Sequence, residues 1–528
     1  MSNAAPAPDL LTLHARSTPH KPAVIDDRPA SPGGPARVLQ RTFAELEDEA
    51  NRLANALSGL GVGAGDKVVW CGQNSLPVVR MIHAGRKLGC VAVPLNYRLT
   101  PEEAAYVVDN SDAVAVYADA EYAELFERIR GRVPKVRHVV VFDGAPRPGQ
   151  EDGDALLAAA APTPVVREAG ASAGSTMIYT SGTTGHPKGA LRRSAGDPAQ
   201  IRALLRHIGY VPDDVYLTTG PLYHSGPGGF MGLAHTLGNT VVLQRKFDAE
   251  DWLRLVDAHR VTTTFSAPTP IRLVTQLPDA VKARYDRRSM KRMVANAAPW
   301  SFALKEAYLR DFPEDSLWEV YGSTELGVNT VLAPADQRRK PGSCGKPSPG
   351  VELKLFDEGG REVTTPHTPG ELFVRSPSAF ATYYKAPEKY EKGRRGEYLT
   401  VGDVAYFDEE GFFFICDRKN DMIISGGMNV YPAEIEAALD RHPDVLDVAV
   451  FGIPSEEWGE SVHAVVVARP GSGLDETKLV AFAREHLAGY KCPRSVSFAG
   501  EIPRNASGKI LKRVLREPFW KGHETGVL

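Results

Sequence analysis

Residues 180–189 read Thr-Ser-Gly-Thr-Thr-Gly-His-Pro-Lys-Gly and follow the β-prone run Met177-Ile178-Tyr179. This mixture is what binding a polyphosphate calls for. Gly182 and Gly185 let backbone N–H groups approach anionic oxygens, Thr180, Ser181, Thr183 and Thr184 add hydroxyl donors, and Lys188 supplies a mobile positive charge. The stretch is not a Walker A loop, which needs Gly-Lys-Ser/Thr after four spacer residues; here Gly189 follows the lysine. Further polar clusters stand in otherwise apolar surroundings, where a polar side chain needs a partner or a role. They are Tyr321-Gly-Ser-Thr-Glu325, Thr400-Val-Gly-Asp403, Asp417-Arg418 with Ser425-Gly426-Gly427, and Pro503-Arg-Asn-Ala-Ser-Gly-Lys509.

The elements that must carry these clusters alternate between strand-like and helix-like patterns through most of the first 400 residues, which argues for α/β layers with parallel sheet. Thr42-Phe-Ala-Glu45 reads as a capping box, and Leu46, Ala50, Leu53, Ala54 and Leu57 repeat at helical spacing until Gly59 and Gly61; a strand, Lys67 to Cys71, follows. Asp248 reads as the N-cap of a helix carrying Leu253 and Val256, ahead of a buried strand, Val261 to Phe265. From about residue 350 the texture becomes β-rich, with Val351, Leu353 and Leu355 alternating before the turn Asp357-Glu-Gly-Gly360, and strands at Leu372 to Val374 and Phe412 to Cys416. Beyond Asp417 come a Gly-rich loop, a helix opening at Pro432, strands Val445 to Ile453 and Val462 to Ala468, and a closing basic helix.

A chain of 528 residues calls for two or more domains. With 43% hydrophobic and 24% charged residues and a net charge of −3, its composition is that of an ordinary globular protein and gives no sign of a nucleic-acid partner. The densest basic run, Lys282, Arg284, Arg287, Arg288, Lys291 and Arg292, reads first as a solvated helix face. Five scattered cysteines without CxxC spacing suggest neither a disulfide framework nor a zinc site and suit reduced thiols in a cytoplasm. No run approaches the length of a membrane span, which leaves peripheral membrane contact and a homodimer open.

The five motifs, in this order and at roughly these separations, resemble those of the adenylate-forming superfamily, and within it most of all the acyl-CoA synthetases, over roughly residues 10 to 517. The resemblance implies an α/β fold. A large N-terminal domain, 1–417, would hold layered sheets and helices with a β-rich subdomain; a hinge, 418–420, would lead to a small mobile α+β domain, 421–528. It implies ATP-dependent activation of an apolar carboxylic acid, fatty, aromatic or steroid-side-chain, to an acyl-adenylate. Transfer to coenzyme A would follow, with Mg²⁺ as the metal and AMP and pyrophosphate as products. A carrier-protein pantetheine is the alternative acceptor, and a non-catalytic binding protein on the same fold is a third reading, against which Glu325, Asp403 and Lys509 are all present.

By the same resemblance Lys509 would stabilise the transition state and withdraw for the thiol step. Lys188 and its loop would hold the β- and γ-phosphates, Thr324 the α-phosphate and Glu325 the Mg²⁺. Tyr321 would stack on adenine, while Asp403 and Arg418 bind the ribose. Gly426 and Gly427 would line the pantetheine tunnel, with Trp458 and Tyr490 near coenzyme A. Tyr223 and His224 would stand beside the substrate carboxylate; Gly226, Gly228 and Gly229 would leave volume for it, with Met231 and Trp300 as apolar walls. Asn296 stands where relatives commonly have glycine, Arg192-Arg193 replaces a histidine-containing stretch, and Asn420 departs from the usual hinge residue.

Overall fold

The computed structural model describes residues 9–30, 36–165, 174–180, 187–192, 198–298, 300–419, 421–426, 428–504 and 510–521. Ser181, Gly182, Thr183, Thr184, Gly185, Asn420, Gly427 and Lys509, all singled out by the sequence, lie outside the described residues.

Two large sheets form the body of the molecule. In one, the parallel strands Leu317–Ser323, Arg292–Ala295, Thr263–Ser266, Val215–Thr218, Thr240–Leu243 and Pro22–Arg28 lie side by side, with antiparallel strands at both edges. In the other, Ser175–Thr180, Val91–Leu95, Lys67–Cys71, Ala113–Asp119 and His138–Phe142 run parallel, and Lys188–Leu191 and Thr382–Tyr383 extend one edge antiparallel. Val68, Trp70 and Tyr117 of this sheet share one core with Val24, Tyr216 and Val241 of the first. The helices Phe43–Gly59, Leu76–Leu88 and Ser225–Thr236 contribute Leu46, Leu53, Met81 and Ala234 to that core, so two β-layers enclose a shared helical layer.

Local signals set these elements as expected. The Thr42 capping box forms, with Glu45 donating its backbone N–H to the Thr42 hydroxyl and its carboxylate accepting from Thr42 N. Asp248 caps Ala249–Ala258. The basic run around Arg287 is not a helix face, since the helix there spans only Asp279–Lys282; Lys282 pairs with Asp279 and Asp311, Arg284 with Glu250, and Arg288 with Asp286.

A smaller antiparallel sheet over residues 352–418 packs Leu355, Leu372, Val374 and Phe413 into its own core. The C-terminal part is a five-stranded sheet dominated by the Val445–Ser455 and Gly459–Ala468 hairpin, with the helices Pro432–Leu439 and Glu476–His486 on it. Polar links join it to the rest. Asp417 accepts from Ala433 N (2.9 Å) in the first turn of the Pro432–Leu439 helix, and Arg272 donates to Leu446 O (3.2 Å) while lying 3.8 Å from Asp447. All five cysteines are free thiols, and no described helix is long and apolar enough to cross a membrane.

Gly322 shows how tightly one site-bearing strand is set. It lies at a register shift between Leu317–Ser323 and Gly327–Leu332, where an added Cβ would fall onto the carbonyl oxygen of Gly327. Backbone cannot yield as a flexible side chain can. Gly322→Ala is expected to destabilise the protein by about 1–3 kcal/mol in denaturant titration, and an unchanged midpoint would refute that close approach.

Candidate active site

The parallel strands of both sheets deliver their C-terminal ends to one cleft, the place where open α/β sheets bind ligands. Thr180 closes Ser175–Thr180 in one sheet, and Thr324 and Glu325 follow Leu317–Ser323 in the other. Glu325 is buried, and its Oε1 accepts hydrogen bonds from Thr180 Oγ1 (3.1 Å) and the Tyr383 hydroxyl (3.0 Å). Thr324 is held on two sides: its hydroxyl meets Ser225 Oγ at 2.8 Å, and its carbonyl accepts from Arg192 Nη1 at 2.6 Å. Arg192 also donates to Ser378 O (2.9 Å), so it braces the turn that carries Thr324.

Lys188 begins the strand Lys188–Leu191, with its ammonium 5.8 Å from the centre of the Tyr383 ring. Burial first, and then the neighbouring Lys389, depress its pKa to about 8, against the opposing pull of Glu325 and Glu388. Ser225 opens the Ser225–Thr236 helix, whose N-terminal dipole therefore points toward Thr324 and favours an anion there.

On the far wall, Asp403 is buried and accepts a short hydrogen bond from the Tyr321 hydroxyl, with Arg418 Nε 3.6 Å from its other oxygen. Tyr321 and Asp403 thus form a pair behind the Gly322 and Gly402 backbone that lines the cleft. Residues 501–504 line the same cleft, and Arg504, held to Asp447 at 2.8 Å, pairs antiparallel with Ile510, bracketing 505–509.

The cleft continues as one cavity of about 2350 Å³ past Tyr223, His224, Gly228, Gly229 and Asn296. Tyr223 and His224 have ring centroids 4.5 Å apart, and Asn296 spends its amide on Val320 O (2.6 Å) and its carbonyl on Ala297 N. The three glycines are not equivalent. A Cβ on Gly226 would strike the Phe265 ring and one on Gly228 would come within 2.6 Å of Leu222 O, whereas one on Gly229 would meet nothing within 4 Å. Gly226 and Gly228 permit close packing of the helix, and Gly229 faces open space.

Two expected walls are not walls. Trp300 is buried in a core with Leu304, Tyr308 and Phe312, and Met231 packs into the large shared core; neither lines the cavity. Met231 lies on the inward side of the Ser225–Thr236 helix and Trp300 just ahead of the Phe302–Asp311 helix, and both turn into the core, a direction that residue type alone does not reveal. Trp458 and Tyr490 are partly exposed and also lie off the cavity, each against a cation: Arg494 is 4.4 Å from the Trp458 ring and Lys491 is 5.6 Å from the Tyr490 ring. Gly426 has φ +59° and donates to Trp458 O (2.8 Å), and a Cβ there would come within 2.8 Å of the indole. Tyr383, Ser225 and Arg192 act on the site without belonging to the sequence clusters. Tyr383 carried no spacing signal, and only the replacement of a histidine stretch drew attention to Arg192.

Residues 11–384 match the model of the AMP-binding enzyme family, and residues 434–509 that of the AMP-binding enzyme C-terminal domain. The chain is 33% identical to a fatty acid–[acyl-carrier-protein] ligase of Streptomyces coeruleorubidus, over 96% of this chain and 95% of that one. It is also 33% identical to the long-chain-fatty-acid–CoA ligase FadD13 of Mycobacterium tuberculosis, over 92% and 94%. The crystal structure of ATP-bound MatB from Rhodopseudomonas palustris superposes with a TM-score of 0.84 at 29% identity, covering 97% of this chain and 99% of that one. With both family models matched in order along a fold whose strand ends converge on one cleft, the chain belongs to the AMP-binding enzyme family, the adenylate-forming superfamily that includes the acyl-CoA synthetases.

Proposed function

We propose that this ligase activates a carboxylic acid with an apolar body to its acyl-adenylate at the expense of Mg-ATP and then transfers the acyl group to coenzyme A. One observation carries the reading. Glu325, anchored by Thr180 and Tyr383, shares a single cleft with Lys188, Thr324 and Arg418, and also with the 501–504 segment that leads to Lys509.

In the first half-reaction a carboxylate oxygen attacks the α-phosphorus of ATP, and the bond from that phosphorus to the bridging oxygen breaks, releasing pyrophosphate. Two anions meet, so the site must place positive charge and donors at the transition state. Lys509 supplies the cation, Thr324 a hydroxyl to the α-phosphate, and Lys188 with Ser181 to Gly185 the clamp on the β- and γ-phosphates. Asp403 and Arg418 take the ribose, with Tyr321 against the adenine. Glu325 fits a Mg²⁺ ion, which is commonly bound by one or two carboxylates and completes its shell with substrate phosphates and water; the described residues offer no cluster of three metal-ligating side chains. His224 and Tyr223 flank the acid.

In the second half-reaction the thiol sulfur attacks the acyl carbonyl carbon, the bond to the phosphate oxygen breaks, AMP leaves, and the thiol proton passes to solvent. Lys509 must then withdraw, which a rotation of 421–528 about 418–420 achieves while Gly426 and Gly427 come to line the pantetheine path. Trp458 and Tyr490, partly exposed on that small domain beside Arg494 and Lys491, meet coenzyme A. A carrier-borne pantetheine is the second reading, favoured by the carrier-protein ligase among the relatives; comparing free coenzyme A with a phosphopantetheinylated carrier separates the two.

Lys509→Ala is expected to slow acid-dependent pyrophosphate release by roughly 100-fold or more while leaving thioester formation from supplied acyl-adenylate largely intact. Equal loss of both half-reactions would contradict the rotation. For Lys188, whose pKa is depressed to about 8, deprotonation removes a positive charge from the phosphate clamp. ATP affinity is therefore expected to fall as the pH rises through about 8, and Lys188→Arg, which stays charged, to flatten the decline in calorimetric titrations. The same pH profile in both proteins would sink this assignment.

A further inference from the structure

Three cations on the Leu76–Leu88 helix reach into its surroundings, and two of them are paired. Arg80 donates twice to Glu49 (2.8 and 3.0 Å), and Lys87 binds Asp9 (3.0 Å) and Glu47 (2.6 Å). Arg86 is different. Its guanidinium makes no ion pair or hydrogen bond with any described residue, and it lines the same cavity as Thr324 and Glu325. Its side chain is solvent-accessible at the cavity wall, while the protein packed around it draws its pKa below the usual arginine value. Asp9, the one carboxylate that opposes this shift, is already bound by Lys87.

A guanidinium that faces a cavity with no protein acceptor is open to an anionic group of a ligand, for which its paired N–H donors are suited. The position of Arg86 says which ligand. Its Nη2 lies 3.5 Å from where a Cβ on Gly232 would stand, and Gly232 is on the same helix as Ser225, seven residues further on. At 1.5 Å per residue, Arg86 sits about 10 Å along that helix from the end that touches Thr324. Half-buried Leu204 and Leu233, with Gly229, line the same cavity.

We propose that Arg86 is a specificity-determining residue that receives a second carboxylate at the far end of the acid, so that the preferred substrate is a dicarboxylic acid with an apolar middle. The planar guanidinium suits a carboxylate bidentately. A reach of about 10 Å corresponds to roughly eight chain bonds, three of which span one extended peptide residue. This inference rests on the acid-activation reading above.

The test compares a straight-chain α,ω-dicarboxylic acid of that length with the monocarboxylic acid of equal length, by kcat/KM for pyrophosphate release. The unmodified enzyme is expected to prefer the diacid by roughly 10- to 100-fold. Arg86→Met should abolish the preference by losing the diacid while the monoacid holds or improves, and Arg86→Gln covers the case in which the methionine variant melts early. Equal use of both acids by the unmodified enzyme, or a parallel loss of both in the variants, overturns the proposal and leaves acid activation standing. If no acid of any class releases pyrophosphate, the activation reading fails instead. Diacid-induced thermal stabilisation then decides Arg86 separately: stabilisation lost in Arg86→Met upholds the site, and none in the unmodified protein refutes it.

Discussion

The site depends on a single buried carboxylate that two sheets must share. Glu325 extends from the end of one sheet, Thr180 from the end of the other, and Tyr383 from a two-residue strand paired at Ala190 on the second sheet's edge. A carboxylate taken from water is tolerable only where donors replace it, and these two hydroxyls do so while fixing the separation of the strand ends. The adjacent Thr324 is held as firmly, with its hydroxyl against a helix N-terminus and its carbonyl against Arg192. Neither sheet alone forms the cleft; the hydrogen bonds across it turn two packed layers into one site.

The small C-terminal part carries its own ion pairs and meets the large body through polar links. Lys512 pairs with Glu436 at 2.9 Å, and Glu436 also accepts from Val450 N. Near them Asp417 lies so deep that burial raises its pKa to about 6, with Lys512 opposing the rise. Asp447 gathers Arg504 at 2.8 Å and Arg272 at 3.8 Å, so one carboxylate meets both the segment leading to Lys509 and the large body. Polar links of this kind can be exchanged for water at modest cost, unlike a continuous apolar interface.

Where local chemistry decides, the sequence was readable. The capping box at Thr42, the cap at Asp248, and the alternation before Asp357 each settle their element within a few residues, and they fold as read. The order of the five motifs was enough to name the family. What local chemistry could not decide was direction. Trp300 and Met231 are apolar residues close in sequence to the cavity, yet both turn into the core. Gly226, Gly228 and Gly229 look alike as letters, but only the positions of Phe265 and Leu222 show that two of them serve packing. The cationic run around Arg287 read as a helix face, whereas its carboxylate partners come from Glu250, Asp286 and Asp311. Arg86 differs from Arg80 and Lys87 on the same helix in having no ion pair or hydrogen bond with any described residue, which its letter could not show.

The open side of Gly229 matters beyond the acid pocket proposed for it. The residues proposed to hold the nucleotide are locked by hydrogen bonds or backbone contact, so most changes there cost folding. At Gly229 a methyl group has nothing within 4 Å to displace. A lineage carrying this fold can therefore drift from one acid to another through single substitutions at such positions, keeping its catalytic end intact at every step.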